Sequence, residues 1–220
     1  MIVKTCDVKY QKLAECLVKG GVVALPTDTI YGIACSLECP NSIKRIYRIK
    51  GREFRKPLSV SVSSISTIYQ LCEVPSFYDK LFRAIYPGAV TLVLKKNPSI
   101  APEIAKFYDS SIGIRIPKSE FIIKLMEECA NLVNKKDFPL ALTSANLSNE
   151  KSPVSIDEFY EIHHKLDFVI DGGLTSESNL GSTIVDLTSE TCSKNFKIIR
   201  KGSFHDESIA ILTSLGFKQQ

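Results

Sequence analysis

Residues 22–35 read VVALPTDTIYGIAC, and this stretch decides the fold class. Residues 22–25 form a short apolar run closed by Pro26, which reads as a buried strand that delivers Thr27-Asp28-Thr29 to its carboxyl end. Upstream, Tyr10, Leu13, Ala14, Leu17 and Val18 fall at helical spacing after Asp7, a residue suited to an N-cap, and Gly20-Gly21 stops the run. Downstream, Pro40-Asn41-Ser42 opens a helix carrying Ile43, Ile46 and Tyr47, and residues 58–62 read as the next strand.

The alternation of helix and strand continues. Ile65, Ile68 and Tyr69 suggest one helix and Phe77, Leu81, Phe82 and Ile85 another, before Pro87-Gly88 turns the chain into a strand at 90–94. Residues 112–116 (IGIRI) read as a strand, 121–133 as an amphipathic helix, and 139–142 as a strand running into Thr143-Ser144-Ala145-Asn146. Ser155 and Glu158 match a capping box ahead of Phe159 and Tyr160. Strands follow at 168–170, 183–187 and 198–199, with a closing helix at 209–215. Residues 172–182 (GGLTSESNLGS) read as a mobile loop. The expected class is α/β, with seven or more strands in a twisted mixed sheet and flanking helices.

A chain of 220 residues with 44% hydrophobic content can fill a sizeable core, and no repeat or linker composition divides it. One domain over residues 8–215 is expected. The formal charge is +4, from 28 basic and 24 acidic residues, which suits a local anion site and not a bulk nucleic-acid coat. Seven scattered cysteines (Cys6, Cys16, Cys35, Cys39, Cys72, Cys129 and Cys192) read as reduced thiols, and Cys35 and Cys39 form a lone pair without zinc-finger partners. The N-terminus resembles neither a signal nor a transit peptide, and no apolar run approaches a membrane span. A soluble, cytoplasmic protein is expected, with a mitochondrial pool left open and no metal held by the chain itself.

The densest cationic feature runs from residue 44 to 56, where Lys44, Arg45, Arg48, Lys50, Arg52, Arg55 and Lys56 face a single acid, Glu53. Lys44, Arg45 and Arg48 read as a solvated helix face. Lys50, Arg52 and Lys56 straddle Gly51 ahead of Pro57, where a loop can aim several cations at one polyanion and arginine adds a bidentate fork. Neither G-x-x-x-x-G-K-[ST] nor G-x-G-x-x-G occurs, so phosphates would be held by side chains and not by a glycine cradle.

Hydroxyl and amide clusters recur at strand edges: Thr27-Asp28-Thr29 with Tyr31, Ser111 with Arg115, the 143–146 run, and Ser182-Thr183. Open α/β sheets bind ligands at such places. Arg115, inside an apolar strand, needs an anionic partner, and both an internal acid such as Asp28 and a ligand carboxylate remain open. Ser144 and Ser182 lack a G-x-S-x-G setting, and His163, His164 and His205 stand in no triad arrangement. A protein nucleophile is not expected.

Seven motifs occur in order: PTDTIYGIAC (26–35), KGREFRKPLSV (50–60), PGAVTLVL (87–94), IGIRIP (112–117), ALTSANLS (141–148), LGSTIVDL (180–187) and IIRKG (198–202). Together they resemble the YrdC/Sua5 family of threonylcarbamoyl-AMP synthases. The resemblance implies a YrdC-like twisted α/β fold around a basic concave cavity that binds threonine beside ATP. By motif it implies that Thr29, Ser61, Arg115, Ser144 and Ser182 serve threonine, and that Arg52, Lys56, Ser111, Asn146, Val154 and Arg200 serve ATP. Lys50 and Arg52 would carry the catalytic task of neutralising phosphate charge. Mg²⁺ would arrive with ATP, bicarbonate would be the third substrate, and the product would pass to a tRNA threonylcarbamoyl transferase. The chain departs from the pattern at Ser61, where some relatives have histidine, at Val154, where threonine is usual, and at Lys201, where proline is frequent. It resembles the form without an appended C-terminal domain. The competing expectation is a module that binds double-stranded RNA or tRNA through shape and phosphate contacts, without chemistry.

Overall fold

The computed structural model describes residues 1–189 and 194–220. Its centre is an eleven-stranded sheet. In chain order the strands are β1 (Ile2–Lys4), β2 (Val23–Pro26), β3 (Tyr31–Ser36), β4 (Ser59–Ser61), β5 (Val90–Lys95), β6 (Ser111–Arg115), β7 (Leu140–Ser144), β8 (Phe168–Asp171), β9 (Thr183–Asp186), β10 (Asn195–Arg200) and β11 (Lys218–Gln219). They lie in the order β1-β8-β2-β3-β7-β4-β6-β5-β9-β10-β11. The pairing is mixed: β2 runs parallel to β8 and antiparallel to β3, while β4 runs parallel to β6 and antiparallel to β7.

Burial on both faces explains why the strands read as unbroken apolar runs. On one face α1 (Tyr10–Val18) and α6 (Glu120–Leu132) pack Leu13, Leu17, Ile122 and Leu125 against Val23, Leu25 and Ala34. On the other, α2 (Pro40–Lys50) sets Ile43, Ile46 and Tyr47 against Ala24, Ile33 and Cys35, in a core that continues through α4 (Tyr78–Ile85). Alternate residues of β2 and β3 therefore serve opposite cores. The remaining helices are α3 (Ile65–Leu71), α5 (Pro102–Ala105) and α7 (His205–Ser214).

Several sequence expectations shift. The helix predicted after Asp7 starts at Tyr10, with Lys9 at its N-cap, because Asp7 belongs to a short 3-10 turn, Thr5–Asp7. The capping box at Ser155 makes no side-chain cap bond; Glu158 Oε2 instead accepts from Val154 N at 2.7 Å, ahead of a 3-10 segment, Ile156–Lys165. β3 was not expected as a strand, and its six residues are all buried. The sheet also reaches past both ends of the 8–215 stretch, through β1 and β11. Residues 172–182 carry no helix or strand but are tied down: Tyr31 Oη donates to Gly173 O at 2.7 Å and accepts from Gly172 N at 2.9 Å, and Asn179 Nδ2 donates to Ser152 O at 2.7 Å.

Gly51 sets the direction of the basic loop. Its φ of 57° is the left-handed conformation that ends α2, and Gly51 N and Arg52 N close back on Arg48 O and Tyr47 O. The chain after Gly51 is thereby turned out of the helix, and Arg52 is set over the sheet.

Candidate functional site

The central strands meet at a cavity of about 140 Å³, walled by Thr27, Thr29, Arg52, Ser59, Ser61, Thr91, Arg115, Ser144, Ser182 and Arg200, among others. Sheet register brings these residues together: Ser61 is paired with Arg115, Gly32 with Ser144, and Val90 with Thr183.

The turn between β2 and β3 is organised by Thr27. Its Oγ1 donates to Ile30 O at 2.7 Å, accepts from Thr29 N and Ile30 N at 3.0 and 3.2 Å, and stands 3.1 Å from Thr29 Oγ1. This turn leaves Thr29 beside Arg115, whose Nη1 donates to Thr29 Oγ1 at 3.2 Å. Arg115 is only 6% exposed. Its Nε donates to Gly88 O at 3.1 Å and its Nη2 to Asp28 Oδ1 at 2.6 Å, while Asp28 Oδ2 accepts from Lys118 N at 3.0 Å. Asp28 is thus the internal acid that Arg115 requires. Three of the five guanidinium N–H groups are engaged in this way.

Arg52 and Arg200 complete a triangle of guanidinium groups. Arg52 Nε donates to Lys56 O at 2.7 Å and Nη2 to Pro57 O at 3.1 Å, so the side chain closes on its own loop. Arg200 donates from Nη2 and Nε to Ser182 O, at 2.7 and 3.3 Å. Ser182 Oγ in turn lies 2.8 Å from Thr91 Oγ1. Among the described residues neither Arg52 nor Arg200 has a carboxylate partner. Burial pushes the pKa of both below the usual arginine value, and for Arg200 the neighbouring Arg115 and Arg52 push further the same way. Three guanidinium groups with a single acid, Asp28, among them make a place where an anion lowers the energy.

Gly202 lets this wall close. A Cβ there would stand 2.3 Å from Gly181 O, Ser182 C and Thr183 N, so only glycine allows the chain after β10 to lie on the Ser182 backbone.

Of the residues expected from the sequence, Thr29, Arg52, Ser61, Arg115, Ser144, Ser182 and Arg200 line the cavity. Lys50, Lys56, Ser111, Asn146 and Val154 do not. Lys50 is the last residue of α2 rather than part of the loop, and its ammonium donates to Ser144 O and Asn146 O; burial, with Arg52 adding repulsion, lowers its pKa to about 7. Lys56 is exposed and does not line the cavity. Ser111 opens β6, four residues before Arg115 and so about 13 Å along the strand. Asn146 is buried, with Nδ2 donating to Leu147 O and Glu150 O at 2.7 and 2.8 Å. Val154 has its N–H on Glu158 and its carbonyl on Thr175 N at 3.0 Å.

Two hydroxyl residues of the cavity, Ser59 and Thr91, were not expected from the sequence. The signal for Thr91 was a lone hydroxyl inside the apolar run 90–94; for Ser59 it was the Ser-Val-Ser alternation of β4. A larger groove, about 900 Å³, lies beside Tyr86, Ile116 and Ile123, but it lacks the converging guanidinium groups. Among the described residues no cluster of three His, Cys, Asp or Glu is placed to hold a metal, and Cys6, Cys16, Cys35, Cys39, Cys72 and Cys129 are free thiols; Cys192 lies outside the described residues. Among the described residues, too, no helix is long and apolar enough to cross a membrane.

Comparison with known proteins agrees with this architecture. The family described as telomere recombination, Sua5/YciO/YrdC, matches residues 15–202. A threonylcarbamoyl-AMP synthase of Rattus norvegicus is 39% identical over 198 residues, 88% of this chain and 66% of the relative. That of Bos taurus is 38% identical over 202 residues, 90% of this chain and 69% of the relative. This chain therefore spans about two thirds of these relatives' length. Among solved structures, P. abyssi Sua5 complexed with L-threonine superposes with a TM-score of 0.83 at 28% identity, over all of this chain and 62% of that one. With its mixed sheet, its hydroxyl-lined cavity and its ordered motifs, the chain belongs to the Sua5/YciO/YrdC family.

Proposed function

We propose that the protein forms threonylcarbamoyl-AMP and pyrophosphate from L-threonine, bicarbonate and ATP, and so supplies the threonylcarbamoyl group for tRNA adenosine. The observation that carries this reading is the cavity where Arg52, Arg115 and Arg200 converge with one acid, Asp28, among them. A small zwitterion bearing a carboxylate and a polyphosphate supply the missing negative charge, and the names of the mammalian relatives and the threonine complex of Sua5 point to the same pair.

The chemistry follows from the charges. The threonine amine takes up carbon dioxide with loss of a proton, or bicarbonate with loss of water, to form a carbamate, whose oxygen attacks the α-phosphorus of ATP; the bond from that phosphorus to the oxygen bridging to the β-phosphate breaks and pyrophosphate leaves. Such a displacement asks for alignment and for neutralisation of growing charge on the phosphates. Arg115 and Thr29, held by Asp28 and by the Thr27 turn, suit the threonine carboxylate and hydroxyl. Ser61, Ser144 and Ser182 line the space beside them. Arg52 and Arg200 suit the phosphates, with Lys56 drawing them in from outside. Mg²⁺ belongs to the substrate, carried on the phosphates of ATP. The product's destination is a separate transferase that acts on tRNA.

The test is pyrophosphate release by the purified protein. With ATP, threonine and bicarbonate present, release is expected, and omission of threonine should remove most of it. Release that ignores threonine overturns the reading, and tight tRNA binding at physiological salt without ATP would favour an RNA-binding module.

A further inference from the structure

Lys50 is the only lysine among the buried residues, at 2% exposed, and it has no carboxylate partner among the described residues. A buried ammonium without a counter-charge is costly unless fixed acceptors replace its water. Here the acceptors are Ser144 O, at the end of β7, and Asn146 O, on the turn that follows. The exchange is reciprocal, since Ser148 N donates to Lys50 O at 3.0 Å. Three hydrogen bonds thus tie the last residue of α2 to one five-residue turn. That turn holds two further buried oxygens without partners among the described residues, Asn146 Oδ1 and Ser148 Oγ.

The two ends of this tie both lead to the cavity. Ser144 stands on its wall, and so does Arg52, two residues after Lys50. Lys50 itself lies behind the wall.

We infer that Lys50 is a positioning residue: its amino group, donating to Ser144 O and Asn146 O, fixes the 144–148 turn, and with it Ser144, against the Arg52 loop, and it does not touch the nucleotide. This rests on the adenylation reading for its functional meaning, but the geometry it asserts can be tested without turnover.

Lys50→Met keeps an unbranched side chain, one atom shorter, and removes the charge and its donors. ATP affinity, measured by calorimetry, is expected to stay within about threefold, while the rate of threonine-dependent pyrophosphate release falls about tenfold or more. Hydrogen exchange of the Ser148 amide is expected to speed up about tenfold or more as the turn loosens. Lys50→Ala should regain rate with propylammonium, which replaces the missing atoms. A tenfold or greater loss of ATP affinity with unchanged exchange at Ser148 would make Lys50 a phosphate ligand and overturn the inference.

Acetic anhydride labelling of the unaltered protein decides the matter should Lys50→Met fail to fold. Lys50 is expected to stay unmodified with and without ATP; acetylation of the free protein that ATP suppresses overturns the inference. If the unaltered protein releases no threonine-dependent pyrophosphate, the proposed function fails, while labelling and exchange still decide where Lys50 points.

Discussion

The two sides of the cavity are built differently. Ser61, Arg115 and Thr91 sit on strands, locked by register and by partners such as Asp28, Gly88 and Ser182. Arg52 hangs on the 51–57 loop and satisfies itself with the carbonyls of Lys56 and Pro57. The strand side is pre-organised for one small ligand shape. The loop side holds donors on weak internal acceptors that a phosphate can outcompete, because charge-assisted bonds to an anion are stronger than bonds to a carbonyl. Rigidity on the side to which the proposed function gives a carboxylate, and exchangeable contacts on the side to which it gives a leaving group, is the lesson of the difference.

Removing Arg115 should break the strand side most severely. Arg115→Ala leaves Asp28, whose side chain is 12% exposed, without its cation, and the expected loss is about 3–5 kcal/mol in urea unfolding together with loss of turnover. An unchanged urea midpoint would mean that the two sides are equally loose. Arg52→Ala is expected to cost about 10²–10³-fold in pyrophosphate release while stability shifts by no more than about 0.5 kcal/mol. A variant that unfolds would show the loop to be structural.

Behind the cavity wall stands Lys50, with a folded pKa of about 7 against 10.5 for an ordinary lysine. From pH 7 to about 10 the unfolded chain holds a proton that the folded chain has released, so stability contributed through this group rises with pH across that window. The thermal-midpoint difference between the unaltered protein and Lys50→Met should therefore move in favour of the unaltered protein as pH rises through it. A flat difference would mean that Lys50 stays charged on its two carbonyls. The smallest effect is expected at Lys56: Lys56→Ala should raise the KM for ATP by less than about tenfold, and the gap should shrink as salt screens the exposed charge.

The strands that carry apolar runs bounded on one side by proline or glycine were legible, because burial on both faces leaves that mark: β2, β5 and β6 stand within a residue of 22–25, 90–94 and 112–116. β3 was not. Its YGIACS begins one residue after the Thr27 turn and shows neither alternation nor a breaker of its own, since its residues feed two opposite cores. β1 and β11 are too short and too exposed to leave a pattern. At the site, the excess of cations and the hydroxyls at strand ends pointed to an anion cavity. What composition does not encode is which way each side chain faces. The same basic motif sends Lys50 inward, Arg52 over the cavity and Lys56 to solvent, because α2 ends between the first two.

Gly202 carries a consequence for anyone who would block this cavity. Its missing side chain is what lets the chain lie on the Ser182 backbone, and every alternative residue would drive that backbone aside. An inhibitor that draws its grip from this closure leans on a surface with almost no mutational exit: the substitution that would dislodge the drug would dislodge the substrate wall with it.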